Sequence, residues 1–212
     1  MMDGPSAHDP MDPATDPFDR FAEWMAEAHA AEPRDANAMT VSSVGPDLRP
    51  TARAILLKGV DGPELGARRG FLFYTNLESR KGRELNANPA VCLSFYWKSL
   101  GRQIRIEGRC APVSDAEADA YFASRPRGSR VGAWASDQSR PLASRAALEA
   151  RIAEAEARFA GMEPPRPPHW SGFRVAPEAI EFWREGEFRL HDRIQYARTA
   201  LDQPWTVERL YP

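Results

Sequence analysis

The residues of this chain with the clearest chemical potential lie near its C-terminus, in the segment FRLHDR at 188–193. Read as a β-strand, this segment alternates its side chains between two faces and places Arg189, His191 and Arg193 on the same face. Neighbouring side chains on that face would be about 7 Å apart. Such polar and cationic groups make a poor core, but they suit an anion or a heteroaromatic ring. The segment therefore predicts a binding site.

Three further segments carry arginine or lysine, at 53–58, 74–81 and 121–130, and the last two also contain hydroxyl or phenol side chains. An arginine presents a planar fork that matches a phosphate, and a lysine presents a point charge. In the second segment, the run Ser79-Arg80-Lys81 follows a predicted strand and begins a predicted helix. Backbone N–H groups and the helix dipole favour an anion at such a position. The second segment therefore predicts a phosphate site.

A second phosphate site is predicted in the third of these segments. Tyr121 and Arg125 are four residues apart on one predicted helix, which places them on the same face, and Ser129 follows in a loop with Pro and Gly. Two separate phosphate sites would imply two phosphorylated ligands, such as a cofactor and a substrate. Each cluster taken alone is more simply a solvated surface, so the hypothesis depends on their joint presence.

The overall composition argues against several classes of function. The 212 residues carry a net charge of −2, with 42% hydrophobic and 27% charged residues, as in an ordinary globular domain. This charge gives no support to nucleic-acid binding, and no apolar run is long enough to cross a membrane. The lack of a secretory signal pattern and the two isolated cysteines predict a cytoplasmic protein.

Familiar cofactor and metal motifs are missing from the sequence. It contains no GxGxxG, Walker or HExxH motif, and Cys92 and Cys110 belong to no CxxC or Cys/His cluster. A Rossmann dinucleotide site and a bound metal are therefore not expected.

The hydrophobic pattern predicts one β-rich domain after a flexible leader. Residues 1–17 contain four prolines and four aspartates, and the domain is expected at 18–212. A helix that begins after Asp16 carries an apolar face, and later segments alternate with the period of β-strands between turns rich in Gly, Pro and Asp. Helices are inserted between these strands without a regular βαβ order, which favours a mainly antiparallel barrel with peripheral helices.

The order and content of these segments resemble the pyridoxamine 5′-phosphate oxidase family, from about Asp16 to Pro212. The segments that carry the resemblance are ARAILLKG (52–59), FYTNLESRKGRELNANP (73–89), WKSLGRQIRIEG (97–108), YFASRPRGSRVGAWASDQS (121–139), HWSGFRV (169–175), IEFWREGEFRLHDR (180–193) and the terminal RLYP. Some members of the family place an Arg and a Tyr in an N-terminal arm that closes over the substrate, whereas residues 1–17 contain neither.

The resemblance implies an FMN-binding split β-barrel that acts as a homodimer, with each flavin at the subunit interface. It implies FMN contacts from residues spread over the domain, which are Arg53, Ala54, Ile55, Leu56, Leu57, Lys58, Tyr74, Thr75, Arg80, Lys81, Gln103, Gln138, Ser139, Trp183 and Arg193. Arg53 and Lys58 are five residues apart, so a regular strand would direct them to opposite faces. A bulge, a strand end or backbone contacts must reconcile their shared role.

The same resemblance implies a substrate-phosphate site formed by Lys58, Tyr121, Arg125 and Ser129, in agreement with the second phosphate site predicted above. Arg189 and His191 are expected to hold the pyridine ring of the substrate over the flavin and to be the catalytic residues. The implied reaction oxidises pyridoxamine or pyridoxine 5′-phosphate at C4′ to pyridoxal 5′-phosphate. Hydride passes to the flavin N5, and dioxygen reoxidises the flavin and is reduced to hydrogen peroxide.

Two other functions are compatible with parts of the sequence. Another split-barrel flavoenzyme, such as a flavin reductase, would keep the FMN clusters without needing the second phosphate site and RLHDR together. A non-catalytic carrier of FMN or pyridoxal phosphate would share its binding residues with an enzyme, so turnover is what separates the two.

Overall fold

The computed structural model describes residues 11–212, which form one antiparallel sheet with helices around it. The strands are β1 (Ala38–Val44), β2 (Pro50–Leu56), β3 (Gly59–Val60), β4 (Phe71–Asn76), β5 (Ala90–Trp97), β6 (Arg102–Pro112), β7 (Trp170–Arg184), β8 (Asp192–Ala197) and β9 (Thr206–Arg209). The α-helices are α1 (Pro17–Ala31), α2 (Arg80–Ala87), α3 (Asp115–Ser124), α4 (Arg127–Ala135) and α5 (Arg145–Arg158).

The sheet is curled, because one segment of the chain pairs with both of its ends. The strands lie in the order β2-β1-β5-β6-β7-β4-β3, and β8 and β9 continue from β7. β2 pairs with β1, whereas β3, which begins three residues after β2 ends, pairs with β4. Residues 50–60 therefore tie the two ends of the sheet together. This architecture confirms the predicted mainly antiparallel barrel with peripheral helices.

The interior of the barrel is apolar, as the alternation of the strands predicted. Ile104 and Ile106 of β6 are fully buried on the same face. Phe18, Phe21 and Trp24 on one face of α1 are also buried and belong to the same hydrophobic core. Because burying a large apolar side chain contributes about 1.5–3 kcal/mol, these contacts fix α1 against the sheet.

The prediction that FRLHDR forms a strand is wrong. Residues Glu187–Arg189 form a tight turn in which Phe188 and Arg189 have positive φ, and strand β8 begins only at Asp192. The reason is the register of the hairpin: Arg184 of β7 pairs with Asp192 of β8, so residues 185–191 must reverse the chain. Only the end of the segment is extended, and the alternation expected for Arg189, His191 and Arg193 does not apply.

The packed part of the chain also begins earlier than the predicted leader boundary at residue 17. Residues 1–10 lie outside the described residues, so the structure says nothing of that part of the leader or of an N-terminal arm. Met11, however, is 1% exposed and belongs to the hydrophobic core. Asp16 caps α1 by accepting hydrogen bonds from the backbone N–H groups of Phe18 and Asp19.

A glycine at a break in the β6–β7 register gives a test of this fold. The register shifts between Glu107 and Gly108, and a Cβ at Gly108 would lie 2.2 Å from the carbonyl oxygen of Ala176. We expect Gly108→Ala to lower the free energy of unfolding by about 1–3 kcal/mol, because backbone atoms must move to relieve this overlap. Urea unfolding at a fixed protein concentration measures the change.

Gly128→Ala is the matched control for that substitution. Gly128 lies in α4, and a Cβ there meets nothing within 4 Å. Alanine is the better helix former by about 1 kcal/mol, so the control should unfold at the same or a higher urea concentration. Equal stability of the two variants would contradict the assigned role of Gly108.

Candidate active site

A cavity of about 410 Å³ lies where residues 50–60 leave β1 and join β4, and it extends to α3 and α4. Predicted site residues from several separate segments line it, namely Ile55, Lys58, Tyr74, Thr75, Lys81, Tyr121, Arg125, Ser129 and Gln138. Asn76, Gly132, Ala133, Ser136 and Trp170 complete the lining and were not predicted. Trp170 lies in the sequence segment that carried the resemblance, but no charge or spacing pattern singled it out.

The charge of the cavity lining is positive. Lys58, Lys81 and Arg125 all line it, and no Asp or Glu is among the described lining residues. The Nη1 atom of Arg125 is buried and donates no hydrogen bond to any described residue. A buried guanidinium nitrogen without an acceptor is costly unless a ligand supplies one. The lining therefore suits an anion such as a phosphate.

Lys81 is the most enclosed of these three cations. Its Nζ donates hydrogen bonds to Thr75 Oγ1 at 2.9 Å and to Gln138 Oε1 at 2.7 Å. Burial, followed by the nearby charge of Arg53, lowers the pKa of Lys81 to about 8. The ammonium group is thus held by neutral acceptors only, and a bound anion would be its first charged partner in the cavity.

Stacked aromatic rings form one wall of the cavity. The rings of Tyr74 and Tyr121 lie 4.0 Å apart at 15°, and those of Tyr74 and Trp170 lie 5.4 Å apart at 7°. The guanidinium of Arg125 lies 4.9 Å from the Trp170 ring centre. Burial raises the pKa of both tyrosines, so each phenol keeps its proton at neutral pH. The wall offers flat apolar surface together with hydroxyl donors.

A glycine makes room for this stack. Tyr74 of β4 pairs with Gly172 of β7, and a Cβ at position 172 would lie 2.6 Å from the Tyr74 ring. The lack of a side chain at Gly172 therefore lets the Tyr74 ring lie across β7 towards Trp170. The resemblance includes this glycine within HWSGFRV, but the sequence pattern alone gave no reason for it.

The second predicted phosphate site is assembled differently from the expected single helix face. α3 ends at Ser124, and Arg125 has extended backbone angles because Pro126 follows it. Ser129 lies in α4 and not in a loop, which corrects the prediction. Tyr121, Arg125 and Ser129 nevertheless line the same cavity, since the chain turns between the two helices.

Lys58 lies beyond the end of strand β2, so the alternation of that strand does not decide which way its side chain points. β2 ends at Leu56, and the backbone N–H of Lys58 donates to Leu72 of β4. The alternation of β2 therefore does not continue to Lys58, which lines the cavity together with Ile55. Of the residues predicted around them, Ala54, Leu56 and Leu57 do not line the cavity.

Arg53 and Arg80 were predicted near a phosphate but do not line the cavity either. Both contact Glu84 of α2. Arg53 Nη2 lies 3.1 Å from Glu84 Oε2, and Arg80 Nε lies 2.8 Å from Glu84 Oε1. The two arginines and Lys81 thus surround the start of α2, where Ser79 caps the helix by accepting from the N–H of Gly82.

The other predicted residues form a second group at the far end of β7. Gln103, Trp183 and Arg193 are direct neighbours across β6, β7 and β8. The Trp183 and His191 rings lie 4.6 Å apart, and Arg189 is exposed on the turn at 187–189. None of these residues lines the cavity. Trp183 is thirteen residues from Trp170 along β7, which corresponds to about 40 Å of strand.

The contacts within this second group orient two of its members. The Gly186 N–H donates to Nδ1 of His191 at 3.2 Å, so the remaining imidazole nitrogen carries the proton of the neutral ring. Arg193 Nε donates to the buried carboxylate of Glu181 at 2.8 Å. Ser139, the last predicted residue, is exposed with a φ of 68° and does not line the cavity.

No group of three or more His, Cys, Asp or Glu side chains among residues 11–212 is arranged to hold a metal ion. No helix within that range is both long and apolar enough to span a membrane.

The buried ammonium of Lys81 gives a test of the electrostatics of the cavity. We expect its Nζ to lose its proton at a pH of about 8, so the affinity of the free protein for inorganic phosphate should fall as the pH rises through that value. NMR of protein labelled with ¹³C at lysine Cε measures the midpoint, and Lys81→Gln assigns the resonance. A midpoint at the ordinary lysine value of 10.5 would contradict this burial.

Comparisons with known proteins identify the family of this chain. Residues 25–159 match the family model described as pyridoxamine 5′-phosphate oxidase. Residues 170–212 match the model described as the pyridoxine 5′-phosphate oxidase C-terminal dimerisation region. The second group of predicted residues lies largely within this C-terminal match, since only Gln103 falls outside it.

Two relatives that align with most of this chain are both named pyridoxine/pyridoxamine 5′-phosphate oxidase. The pyridoxine/pyridoxamine 5′-phosphate oxidase of Sphingopyxis alaskensis is 60% identical over 197 residues, which are 93% of this chain and 88% of that protein. The protein of the same name from Rhodospirillum rubrum is 59% identical over 197 residues, with 93% and 96% covered.

Solved structures agree with this result. The crystal structure of PhzG from Burkholderia lata, in complex with tetrahydrophenazine-1-carboxylic acid, superimposes with a TM-score of 0.86 at 32% identity and covers 98% of both chains. A pyridoxamine 5′-phosphate oxidase-related, FMN binding protein from Nostoc punctiforme has a TM-score of 0.73 at 16% identity and covers 94% of this chain and 100% of that one, a likeness of fold alone. The predicted split-barrel fold is confirmed, and the chain belongs to the pyridoxamine 5′-phosphate oxidase family.

Proposed function

We propose that this chain binds FMN and oxidises pyridoxamine 5′-phosphate and pyridoxine 5′-phosphate to pyridoxal 5′-phosphate, with reduction of dioxygen to hydrogen peroxide. With the amine substrate, water supplies the aldehyde oxygen and the nitrogen leaves as ammonia. The observation that carries the proposal is the cavity, which combines three cations, no carboxylate and a wall of stacked aromatic rings. A phosphorylated heteroaromatic ring needs both features. The name shared by relatives at 59–60% identity supports the same substrates.

The residues present fit FMN as a cofactor. The orphaned nitrogen of Arg125 and the buried ammonium of Lys81 show that the cavity lacks anionic partners of its own. We assign the FMN phosphate to the start of α2, where Arg53, Arg80 and Lys81 gather, and assign Thr75 and Gln138 to the same ligand. When bound, FMN supplies the redox chemistry, because it takes up hydride and passes electrons to dioxygen.

The phosphate of the substrate is assigned to Lys58, Tyr121, Arg125 and Ser129. Lysine supplies a point charge, arginine a planar fork, and the two hydroxyls donate hydrogen bonds. These phosphate contacts are remote from the carbon that reacts, so their binding energy can orient the pyridine ring. The chain then needs little acid–base machinery beyond holding that carbon in place.

The second group of predicted residues requires a second subunit in this proposal. Trp183 is separated from Trp170 of the cavity wall by about 40 Å of strand β7, and none of Gln103, Arg189, His191 and Arg193 lines the cavity of its own chain. Most of them lie within residues 170–212, which match a dimerisation region. We therefore infer a homodimer with FMN at its interface, in which this group of one subunit completes the cavity of the other.

Within that dimer, Arg189 and His191 are assigned to the pyridine ring of the substrate. Since Nδ1 of His191 accepts from Gly186, its Nε2–H can donate to an acceptor on the substrate. Arg189 is exposed and can add a positive charge beside the ring. A cytoplasmic location completes the proposal and is supported by two free cysteines, Cys92 and Cys110.

The first test is turnover by the purified protein with FMN, air and pyridoxine 5′-phosphate. We expect formation of pyridoxal 5′-phosphate and an equal amount of hydrogen peroxide, and loss of both when FMN is omitted. Tight FMN binding without turnover on either phosphorylated substrate would favour a carrier. Turnover of a nicotinamide and free flavin in place of these substrates would favour a flavin reductase.

Arg189→Ala separates the catalytic role from cofactor binding. We expect kcat/KM to fall by about 10²–10³-fold, because the ring loses a positioning charge, while the Kd for FMN changes by less than about twofold. Steady-state kinetics and the quenching of FMN fluorescence measure the two quantities. Arg184→Ala, on the same hairpin and paired with Asp192, is the control and should retain activity. Equal losses of activity and FMN affinity in Arg189→Ala would remove the assigned role.

A further inference from the structure

We infer that Glu84 is a positioning residue, which holds Arg53 and Arg80 in place for the phosphate of FMN. The inference rests on the proposed function, since it assigns the two arginines to that phosphate. Glu84 itself is assigned no contact with FMN or substrate. It belongs to α2, three residues after Lys81, and does not line the cavity.

Glu84 is the centre of a hydrogen-bond network that joins three elements. Its Oε2 accepts from Ser43 Oγ of β1 at 2.7 Å and from Thr51 Oγ1 of β2 at 2.6 Å. The same oxygen lies 3.1 Å from Arg53 Nη2, and Oε1 accepts from Arg80 Nε at 2.8 Å. One carboxylate therefore ties the start of α2 to the strands that carry Arg53.

The network fixes the direction of the Arg53 side chain. Arg53 Nη1 donates to Ser43 Oγ at 2.6 Å and to the carbonyl oxygen of Val41 at 3.2 Å, and Nη2 also donates to Thr51 Oγ1. A free arginine loses rotamer entropy when it grips a phosphate, and an arginine that is already held loses less. Glu84 therefore preorganises the guanidinium before any ligand binds.

Glu84 keeps its charge under all ordinary conditions. The carboxylate is almost completely buried, with 8% of the side chain exposed. Burial acts to raise its pKa, but hydrogen bonds from Thr51, Ser43, Arg80 and Arg53 together lower it to about 2. A buried charge of this kind persists only when its partners compensate it, which they do here with two guanidinium groups.

The network is connected to the cavity through Arg53 and Lys81. The charge of Arg53 is one of the two causes that lower the pKa of Lys81, so these two cations lie close enough to repel each other. Two arginines and one carboxylate leave a net positive charge beside the cavity. Glu84 thus reduces the mutual repulsion of the cations while it leaves enough charge for an anion.

Two opposite results can be expected when Glu84 loses its charge. If Glu84 acted only as a negative charge near the phosphate, its removal would strengthen FMN binding. If it positions the arginines, its removal weakens FMN binding, because the guanidinium groups lose their anchor. The direction of the change therefore distinguishes the two roles.

The experiment compares the affinities of FMN and riboflavin, which differ only by the phosphate, for the full chain and its variants. We expect Glu84→Gln to weaken FMN binding by about tenfold and to leave riboflavin binding within about twofold. Glu84→Asp, which keeps the charge but shortens the side chain, should weaken FMN binding in the same direction. Quenching of flavin fluorescence gives each Kd, and circular dichroism establishes that the variants are folded.

Two controls complete the design. Glu78→Gln removes a carboxylate that precedes α2 and pairs on the surface with Arg140, so it should change neither affinity. In an Arg53→Met, Arg80→Met background, Glu84→Gln should cause little further loss for FMN, since the residues through which it acts are gone.

Several outcomes would overturn the inference. Unchanged or tighter FMN binding in Glu84→Gln would show that Glu84 does not position the arginines, and equal losses for FMN and riboflavin would show a general structural role. If Glu84→Gln does not fold, the same criteria apply to Glu84→Asp. Failure of the unsubstituted chain to bind FMN would instead overturn the proposed function, and the inference with it.

Discussion

The site depends on one short segment, residues 50–60, which pairs first with β1 and then with β4. Residues 50–60 leave β1 and join β4 across only two residues, 57 and 58, and these belong to neither strand. This segment connects the two ends of the curled sheet through the backbone, since β2 and β3 lie at opposite ends of the strand order. Ile55 and Lys58 from this segment line the cavity together with side chains of β4. The connection between the ends of the sheet and the position of the cavity therefore depend on the same stretch of backbone.

The second determinant is the separation of charge around this gap. The whole chain is nearly neutral, with a net charge of −2, so an anion site must come from local arrangement. The nearby carboxylates of Glu84 and Glu117 are engaged by arginines. Hydrogen bonds from Arg174 and Ser114 lower the pKa of Glu117 to about 2. Because neither carboxylate lines the cavity, the lining contains cations without an opposing charge among the described residues.

The sequence predicted most of the fold and about half of the geometry of the site. Period-two alternation predicted β-strands with one apolar face, and Ile104 and Ile106 of β6 lie buried on such a face, because strand burial is a local property. The same rule failed for Arg189, since the β7–β8 register decides where that hairpin turns. Ser129 was placed in a loop because Gly and Pro usually mark one, although α4 begins directly after Pro126. Local residue spacing does not determine which distant strands pair or in which register.

In the proposed dimer, the position of the 187–189 turn accounts for the need for a second subunit at the site. Phe188 and Arg189 have φ values of 55° and 66°. Each such residue costs about 1–3 kcal/mol, and the conformation persists only where the surrounding structure holds it. A side chain at Gly186 would meet the carbonyl oxygen of Leu190 at 2.0 Å, so the glycine permits the tight reversal. The reversal leaves Phe188 89% exposed and Leu190 69% exposed. Strain and exposed apolar surface at one turn are both accounted for if a second subunit covers it. In the proposed dimer, that cover brings Arg189 and His191 to the cavity of the partner subunit, since neither residue lines the cavity of its own chain.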